Sequence, residues 1–234
     1  YVEILAEACR LWQTTQVLPR EFLKTYPSIL MGFETAQLSL YRCAETGNPF
    51  LLSSTPFALG KEGIPINGLV WMGNAEEMLE RMKAKLAAGF RCVKIKIGAI
   101  DFEAELNLLS ILRQHYSPQQ VELRLDANGA FSPQEAIEKL RLLSAFNIHS
   151  IEQPIRAGQW IEMAELCRQS PIPIALDEEL IGVHSKEEKE RLLDTIKPQY
   201  IILKPSLHGG FSGAEEWEEL ADARGIAHWA TSAL

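Results

Sequence analysis

The chain has 234 residues, 47% hydrophobic and 23% charged, and its 23 basic against 31 acidic side chains leave a formal net charge of −8. That balance belongs to a globular protein and not to a disordered one, and with no basic stripe it argues against nucleic acid or an anionic membrane as a partner. No apolar run approaches the roughly 18 residues of a membrane-spanning helix. Cys9, Cys43, Cys92 and Cys167 lie far apart with no CxxC, which leaves a reducing cytoplasm as the default location. The sequence opens on Tyr1 with no signal peptide and stops at Leu234 directly after a predicted strand. It reads as an internal piece of something longer.

Residues 1–60 carry two helical stretches, about 1–15 and 28–45, joined by the segment 15–27. A Gly/Pro/Ser-rich connection over 53–65 follows. This region is expected to form a mostly helical element packed against the remainder, residues 61–234. From about residue 65 short β-branched runs alternate with amphipathic stretches. The run 66–72 precedes a helix over 75–88, in which Met78, Leu79, Met82 and Leu86 recur at helical spacing and Gly89 takes the C-terminal cap position. Next come the run 91–97, a helix over 101–115, and the run 122–126. Ser132-Pro133-Gln134-Glu135 then opens a helix as a capping box with Pro at its first position. Further runs cover 149–152, 172–177, 200–204 and 226–230, with helical stretches between them.

Seven strands alternating with helices predict a parallel sheet with crossover helices, α/β in class. An open nucleotide-binding sheet would carry a Gly-rich loop after an early strand, and neither GxGxxG nor GxxxxGK[ST] is present. A (β/α) barrel instead places its chemistry at the C-terminal ends of several strands. Lys96, Asp126, Glu152, Asp177 and Lys204 follow that pattern, separated by 30, 26, 25 and 27 residues, one βα unit each. The barrel is therefore the preferred closure. Three carboxylates on neighbouring strands make a hard oxygen site suited to Mg²⁺, with Mn²⁺ as the alternative. The competing reading is three separate surface acids.

Lys94 and Lys96 are two apart on one strand and point to one face. Mutual repulsion and desolvation are expected to lower their pKa values, which would fit a lysine for general-base work. Lys204 lies on the far side of the acids. A metal flanked by lysines suits removal of a proton from carbon next to a carboxylate: the metal stabilises the enediolate oxygens and a lysine takes the proton.

The motifs Lys94-Ile95-Lys96, Asp126-Ala127-Asn128-Gly129, Ile151-Glu152-Gln153-Pro154, Leu176-Asp177-Glu178-Glu179 and Leu203-Lys204-Pro205-Ser206 resemble the enolase superfamily, muconate lactonizing subgroup. The stretches 63–68, 150–160 and 204–210 are similar to the o-succinylbenzoate synthases of the Bacteroides type. The resemblance covers essentially the whole chain. It implies an enolase-type modified (β/α) barrel, lacking its last strand within these residues, with a partial N-terminal α+β capping domain over 1–60 and the catalytic barrel over 61–234. It implies Asp126, Glu152 and Asp177 as Mg²⁺ ligands and Lys96 as the base that then helps hydroxide leave from the same face. Lys204 is implied as a stabilising cation. Lys94, Asn128, Glu178, Ser206 and Ser232 are implied beside substrate or behind the site.

The implied reaction is dehydration of 2-succinyl-6-hydroxy-2,4-cyclohexadiene-1-carboxylate to 2-succinylbenzoate, a menaquinone precursor. The alternatives are an N-acylamino acid or dipeptide racemase or epimerase, in which Lys96 and Lys204 would serve opposite faces, and a catalytically inactive barrel fragment. Oligomeric state is not legible.

Other features have plainer readings. His208-Gly209-Gly210 predicts a tight turn after a strand, since no nucleophile elbow accompanies it. His115, His149, His184 and His228 show no ligand spacing. Trp71, Trp160, Trp217 and Trp229 are expected as packing anchors, with Trp71 a candidate for the pocket rim. Lys186–Arg191 predicts an exposed helix start laced by salt bridges, and Glu215, Glu216, Glu218 and Glu219 a solvated helix face.

Overall fold

The computed structural model describes residues 1–233. Seven parallel strands form one curled sheet in chain order: β1 (Gly68–Val70), β2 (Cys92–Lys96), β3 (Glu122–Asp126), β4 (Ser150–Glu152), β5 (Ile174–Leu176), β6 (Tyr200–Leu203) and β7 (Ala227–Ala230). The crossovers carry α4 (Ala75–Ala87), α5 (Phe102–His115), α6 (Pro133–Ser144), α7 (Trp160–Gln169), α8 (Lys186–Ile196) and α9 (Gly210–Asp222). Ahead of them lie α1 (Val2–Thr15), α2 (Arg20–Leu23) and α3 (Pro27–Thr46). All seven expected strands are present.

The two-residue period of the strands sets the architecture. On β2, Val93 and Ile95 are fully buried beneath the helices, while Cys92, Lys94 and Lys96 face the concave side. On β3, Leu123 and Leu125 alternate with Glu122, Arg124 and Asp126 in the same way. The apolar face meets Leu108, Leu109 and Leu112 of α5 and Leu140 and Leu143 of α6, all buried. Each such side chain contributes about 1.5–3 kcal/mol by leaving water. The helix ends follow their sequence signals. Asn74 accepts from Glu77 N at the start of α4, Gly89 at φ +89° follows its end, and Ser132 with Glu135 closes the capping box of α6.

Two expectations need correction. The segment 15–27 is not merely a connection, for it contains α2, whose Leu23 is fully buried with Ala8, Leu18, Ile29, Leu30 and Phe33 in a small core of its own. The start of α8 is not uniformly exposed either. Lys189 is 2% exposed, donates to Gly213 O at 3.0 Å and pairs with Glu216 of α9 at 2.8 Å. Its amine sits 5.1 Å above the buried Trp217 ring, so the charge is desolvated against an aromatic face. Glu216 is thereby an ion-pair partner within the α8–α9 contact.

Candidate active site

Strand register brings the predicted residues to one rim. Lys96 pairs in register with Asp126, and Asp126 with Glu152. Glu152 pairs with Ala175, so Asp177, two residues further on, returns to the same concave face. Lys204 follows β6 directly. A cavity of about 550 Å³ opens on this rim, lined among others by Trp71, Lys94, Lys96, Lys204, Trp229 and Ser232.

Each carboxylate is held by an ammonium. Lys94 Nζ lies 2.8 Å from Asp126 Oδ2 and 2.7 Å from Glu152 Oε2. Lys96 Nζ donates to Asp126 Oδ2 at 2.6 Å and to Asn128 Oδ1 at 2.7 Å. Lys204 Nζ donates to Asp177 Oδ2. Asn128 links the motifs: its backbone N–H donates to Asp126 Oδ1 at 3.1 Å and its amide to Glu178 Oε1 at 2.8 Å. Ser232 lines the cavity, as does Trp71, whose ring centroid is 5.6 Å from Lys96 Nζ. Ser206 lies in the turn after Lys204.

The electrostatics correct one expectation. Burial alone lowers the Lys94 pKa, but the Glu152 and Asp126 carboxylates outweigh it and hold the amine above the ordinary lysine value. The charged groups that act on it are these two acids. Burial pushes the Glu152 carboxyl up to about 8, Asp126 and Asp177 add to the rise, and Lys94 opposes it. Burial also works against charge on Asp126, yet Lys94 and Lys96 prevail and keep it below the usual aspartate range.

Among the described residues no three of His, Cys, Asp and Glu already close into a metal shell. The Lys94 amine stands between Asp126 and Glu152, with Lys96 on Asp126 and Lys204 on Asp177. The donor set nonetheless fits a divalent cation. Asp126, Glu152 and Asp177 are 0%, 3% and 0% exposed. Asp177 Oδ1 and Glu178 Oε2 are buried without a hydrogen-bond partner, and hard oxygen ligands of this kind match Mg²⁺.

Sequence reasoning passed over several groups. Gln153 is 1% exposed. Its Oε1 accepts from Asp177 N at 3.1 Å and Glu179 N at 3.3 Å, and its Nε2 donates to Ile155 O at 2.9 Å and Glu179 Oε2 at 3.1 Å. It joins the strand end bearing Glu152 to the one bearing Asp177. Arg124 forms part of the cavity floor, its guanidinium 4.4 Å from the Trp229 ring. The signal for it was present, since Arg124 lies two residues before Asp126 on one strand. Trp229 is accordingly a cavity wall and not only a packing anchor.

The family described as Enolase C-terminal domain-like matches residues 77–234, and the chain belongs to it. The o-succinylbenzoate synthase of Desulfotalea psychrophila (strain LSv54 / DSM 12343) is 54% identical over 209 residues, spanning 89% of this chain and 55% of that protein. The L-Ala-D/L-Glu epimerase of Bacillus subtilis (strain 168) is 29% identical over 159 residues, 67% of this chain and 42% of the relative. The crystal structure of MenC from Desulfotalea psychrophila LSv54 superposes with a TM-score of 0.84 at 48% identity, covering 98% of this chain and 62% of that one. Muconate lactonizing enzyme from Pseudomonas putida shares the fold, with a TM-score of 0.72 at 22% identity over 87% of this chain and 55% of its own. The chain spans about half the length of the curated relatives it matches. No helix among the described residues is long and apolar enough to cross a membrane.

Proposed function

We propose that this chain carries the catalytic face of a cytoplasmic, divalent-metal-dependent o-succinylbenzoate synthase. It would dehydrate 2-succinyl-6-hydroxy-2,4-cyclohexadiene-1-carboxylate to 2-succinylbenzoate for menaquinone synthesis. The observation that carries the reading is the placement of Lys96 and Lys204 at opposite ends of the row Asp126, Glu152, Asp177, all on one concave rim. The relative of that name, 54% identical, supports the same reaction.

Mg²⁺ or Mn²⁺ held by Asp126, Glu152 and Asp177 would supply the positive charge that a substrate carboxylate needs as its α-carbon loses a proton. Lys96 in its neutral form takes that proton. As an ammonium it then returns a proton to the departing hydroxyl on the same face, making the elimination syn. Lys204 stays cationic on the other side and steadies the developing negative charge. Asn128 holds the Lys96 amine at 2.7 Å and so fixes its approach. Trp71, beside Lys96, and Trp229, over Arg124, present aromatic walls to the ring. Residues 1–60 form the helical part of a capping domain, and residues 61–234 the barrel.

A second reading draws on the same two lysines. A proton donor on each face is what racemisation of an N-acylamino acid or epimerisation of a dipeptide requires, and an epimerase is among the relatives. Loss of diene absorbance with Mg²⁺, abolished by chelator and by Lys96→Ala, is the result expected of the synthase. Solvent deuterium entering an N-succinylamino acid, and lost when Lys204 alone is replaced, would identify the racemase instead. Mg²⁺ binding with neither turnover would mark the chain as a non-catalytic barrel.

A further inference from the structure

Glu34 is a buried carboxylate that the chemistry above leaves unused. It sits on α3, 4% exposed, and reaches the first turn of α9, 177 residues away in sequence. There it accepts from Phe211 N at 2.6 Å, from Ser212 N at 3.3 Å and from the Ser212 hydroxyl at 2.5 Å. First-turn amides have no partner within their own helix and carry partial positive charge, so a carboxylate is favoured against them. Arg20 Nε, 3.5 Å away, balances part of the acid's charge from its own side. The fit has no slack, because a Cβ at Gly210 would fall 2.3 Å from Glu34 Oε2, and φ there is +74°.

From this turn the contacts continue to Lys204. Gly210 N donates to Pro205 O at 2.8 Å, and a Cβ on Gly213 would fall 2.2 Å from His208 O. Lys204 O accepts from Leu207 N at 2.7 Å and His208 N at 3.0 Å, while Lys204 N donates to His208 Nδ1 at 3.0 Å. The first turn of α9 and the backbone of Lys204 are thus one hydrogen-bonded block, and Glu34 is its tie to α3.

We propose that Glu34 is a positioning residue: by anchoring the first turn of α9 it fixes the backbone from which Lys204 reaches Asp177. The catalytic consequence rests on the role given to Lys204 above, whereas the anchoring does not. On this view the helical segment is part of the machinery, because it sets the place of a cation on the far rim of the barrel.

The test measures amide hydrogen exchange and steady-state kinetics on the same proteins. Loss of a hydrogen bond to a charged group predicts exchange over residues 204–213 faster by about ten- to a hundredfold in Glu34→Ala, with β2 to β4 unchanged. A shift of the Lys204 amine predicts kcat down by about tenfold or more with KM within about threefold. Glu34→Gln keeps an acceptor oxygen and is expected to recover most of kcat. Leu18→Ala, which loosens the small helical core, is expected to lower Tm and leave exchange over 204–213 as it was. Should Glu34→Ala fail to fold, Ser212→Ala removes only the hydroxyl's bond to Glu34 and keeps the two backbone ones, and a smaller change of the same sign is expected. Unchanged exchange over 204–213 in Glu34→Ala, or in Ser212→Ala should Glu34→Ala not fold, overturns the anchor. Faster exchange with kcat intact overturns the positioning role. If the native chain shows no turnover, the functional reading fails, and exchange alone still decides whether Glu34 holds the Lys204 block.

Discussion

Lys94 on β2 reaches past β3 to Glu152 on β4, its Nζ 2.8 Å and 2.7 Å from the two carboxylate oxygens. One ammonium therefore occupies the centre of charge of a buried acidic row, where a divalent cation would also be drawn. Removing it leaves Glu152 without its ammonium partner, and Asp126 with Lys96 alone. Lys94→Met is expected to lower metal-free stability by about 3–5 kcal/mol, the usual cost of breaking one side of a buried pair. Mg²⁺ at about a hundredfold its Kd restores about 2.7 kcal/mol to any protein that binds it only when folded. Because the ammonium no longer competes, the Mg²⁺-dependent gain should be larger in the variant than in the native chain. Urea titrations in EDTA and in millimolar Mg²⁺ check this, and an equal gain in both proteins would contradict it.

Gln153 supports the same rim through neutral hydrogen bonds. Its amide is the acceptor for Asp177 N and Glu179 N and a donor to Glu179 Oε2. Leucine would fill the space and satisfy none of them. Each buried group left unpaired costs about 1–3 kcal/mol, so with three of them Gln153→Leu is expected to lose about 3 kcal/mol or more. A urea midpoint within experimental error of the native one would mean that water replaces the amide.

The sheet was legible in the sequence because the strands are short, mostly apolar runs, each separated from the next by one amphipathic helix, so that period alone locates it. The charged rim was legible for a related reason, since one βα unit fixes the spacing from Lys96 to Lys204. What the pattern hides is anything set by contact across elements. The rise in the Lys94 pKa depends on Glu152, which is two strands and 58 residues away. Lys189 sits within a run of charge that spells an exposed helix, yet Trp217 and Glu216 of the next helix draw it inside. Glu34 has no local signature at all, and its partners lie at the other end of the chain. α2 is four residues long, below what periodicity can register.

His208 predicts a pH dependence. Burial lowers its pKa to about 4, Lys204 and Lys189 assist, and Asp177 opposes. Because the folded value lies below the ordinary 6.5, the unfolded chain binds the extra proton first. The stability associated with a neutral His208 is therefore full above pH 6.5 and lost as pH falls towards 4. At about 1.4 kcal/mol per pH unit the loss amounts to about 3 kcal/mol. Asparagine can accept from Lys204 N in place of Nδ1 but does not titrate. His208→Asn should flatten the stability curve over pH 4.5–6.5 relative to the native chain, as read from urea midpoints. Parallel curves for the two proteins would show that other groups carry the whole slope.

The four cysteines should separate by reactivity. Cys9 and Cys43 are exposed, Cys92 is half-buried and Cys167 is buried. Burial pushes both Cys92 and Cys167 up to about 12. Glu122 adds to the rise at Cys92, where Arg124 opposes it, and Glu179 adds to it at Cys167. Cys92 matters most, because it lines the candidate active-site cavity and donates to Glu122 Oε1 at 3.3 Å. At pH 8 an ordinary thiol is ionised to roughly a quarter, and one near 12 to about one part in ten thousand. The more basic thiolate is the better nucleophile, which recovers part of that gap and leaves Cys92 slower by about a hundredfold. Timed alkylation with iodoacetamide at pH 8, read peptide by peptide in a mass spectrometer, should label Cys9 and Cys43 together and leave Cys92 and Cys167 far behind. Labelling of Cys92 at the rate of Cys43 would mean that the cavity floor is wetter, and Arg124 closer in effect to the sulfur, than its burial implies.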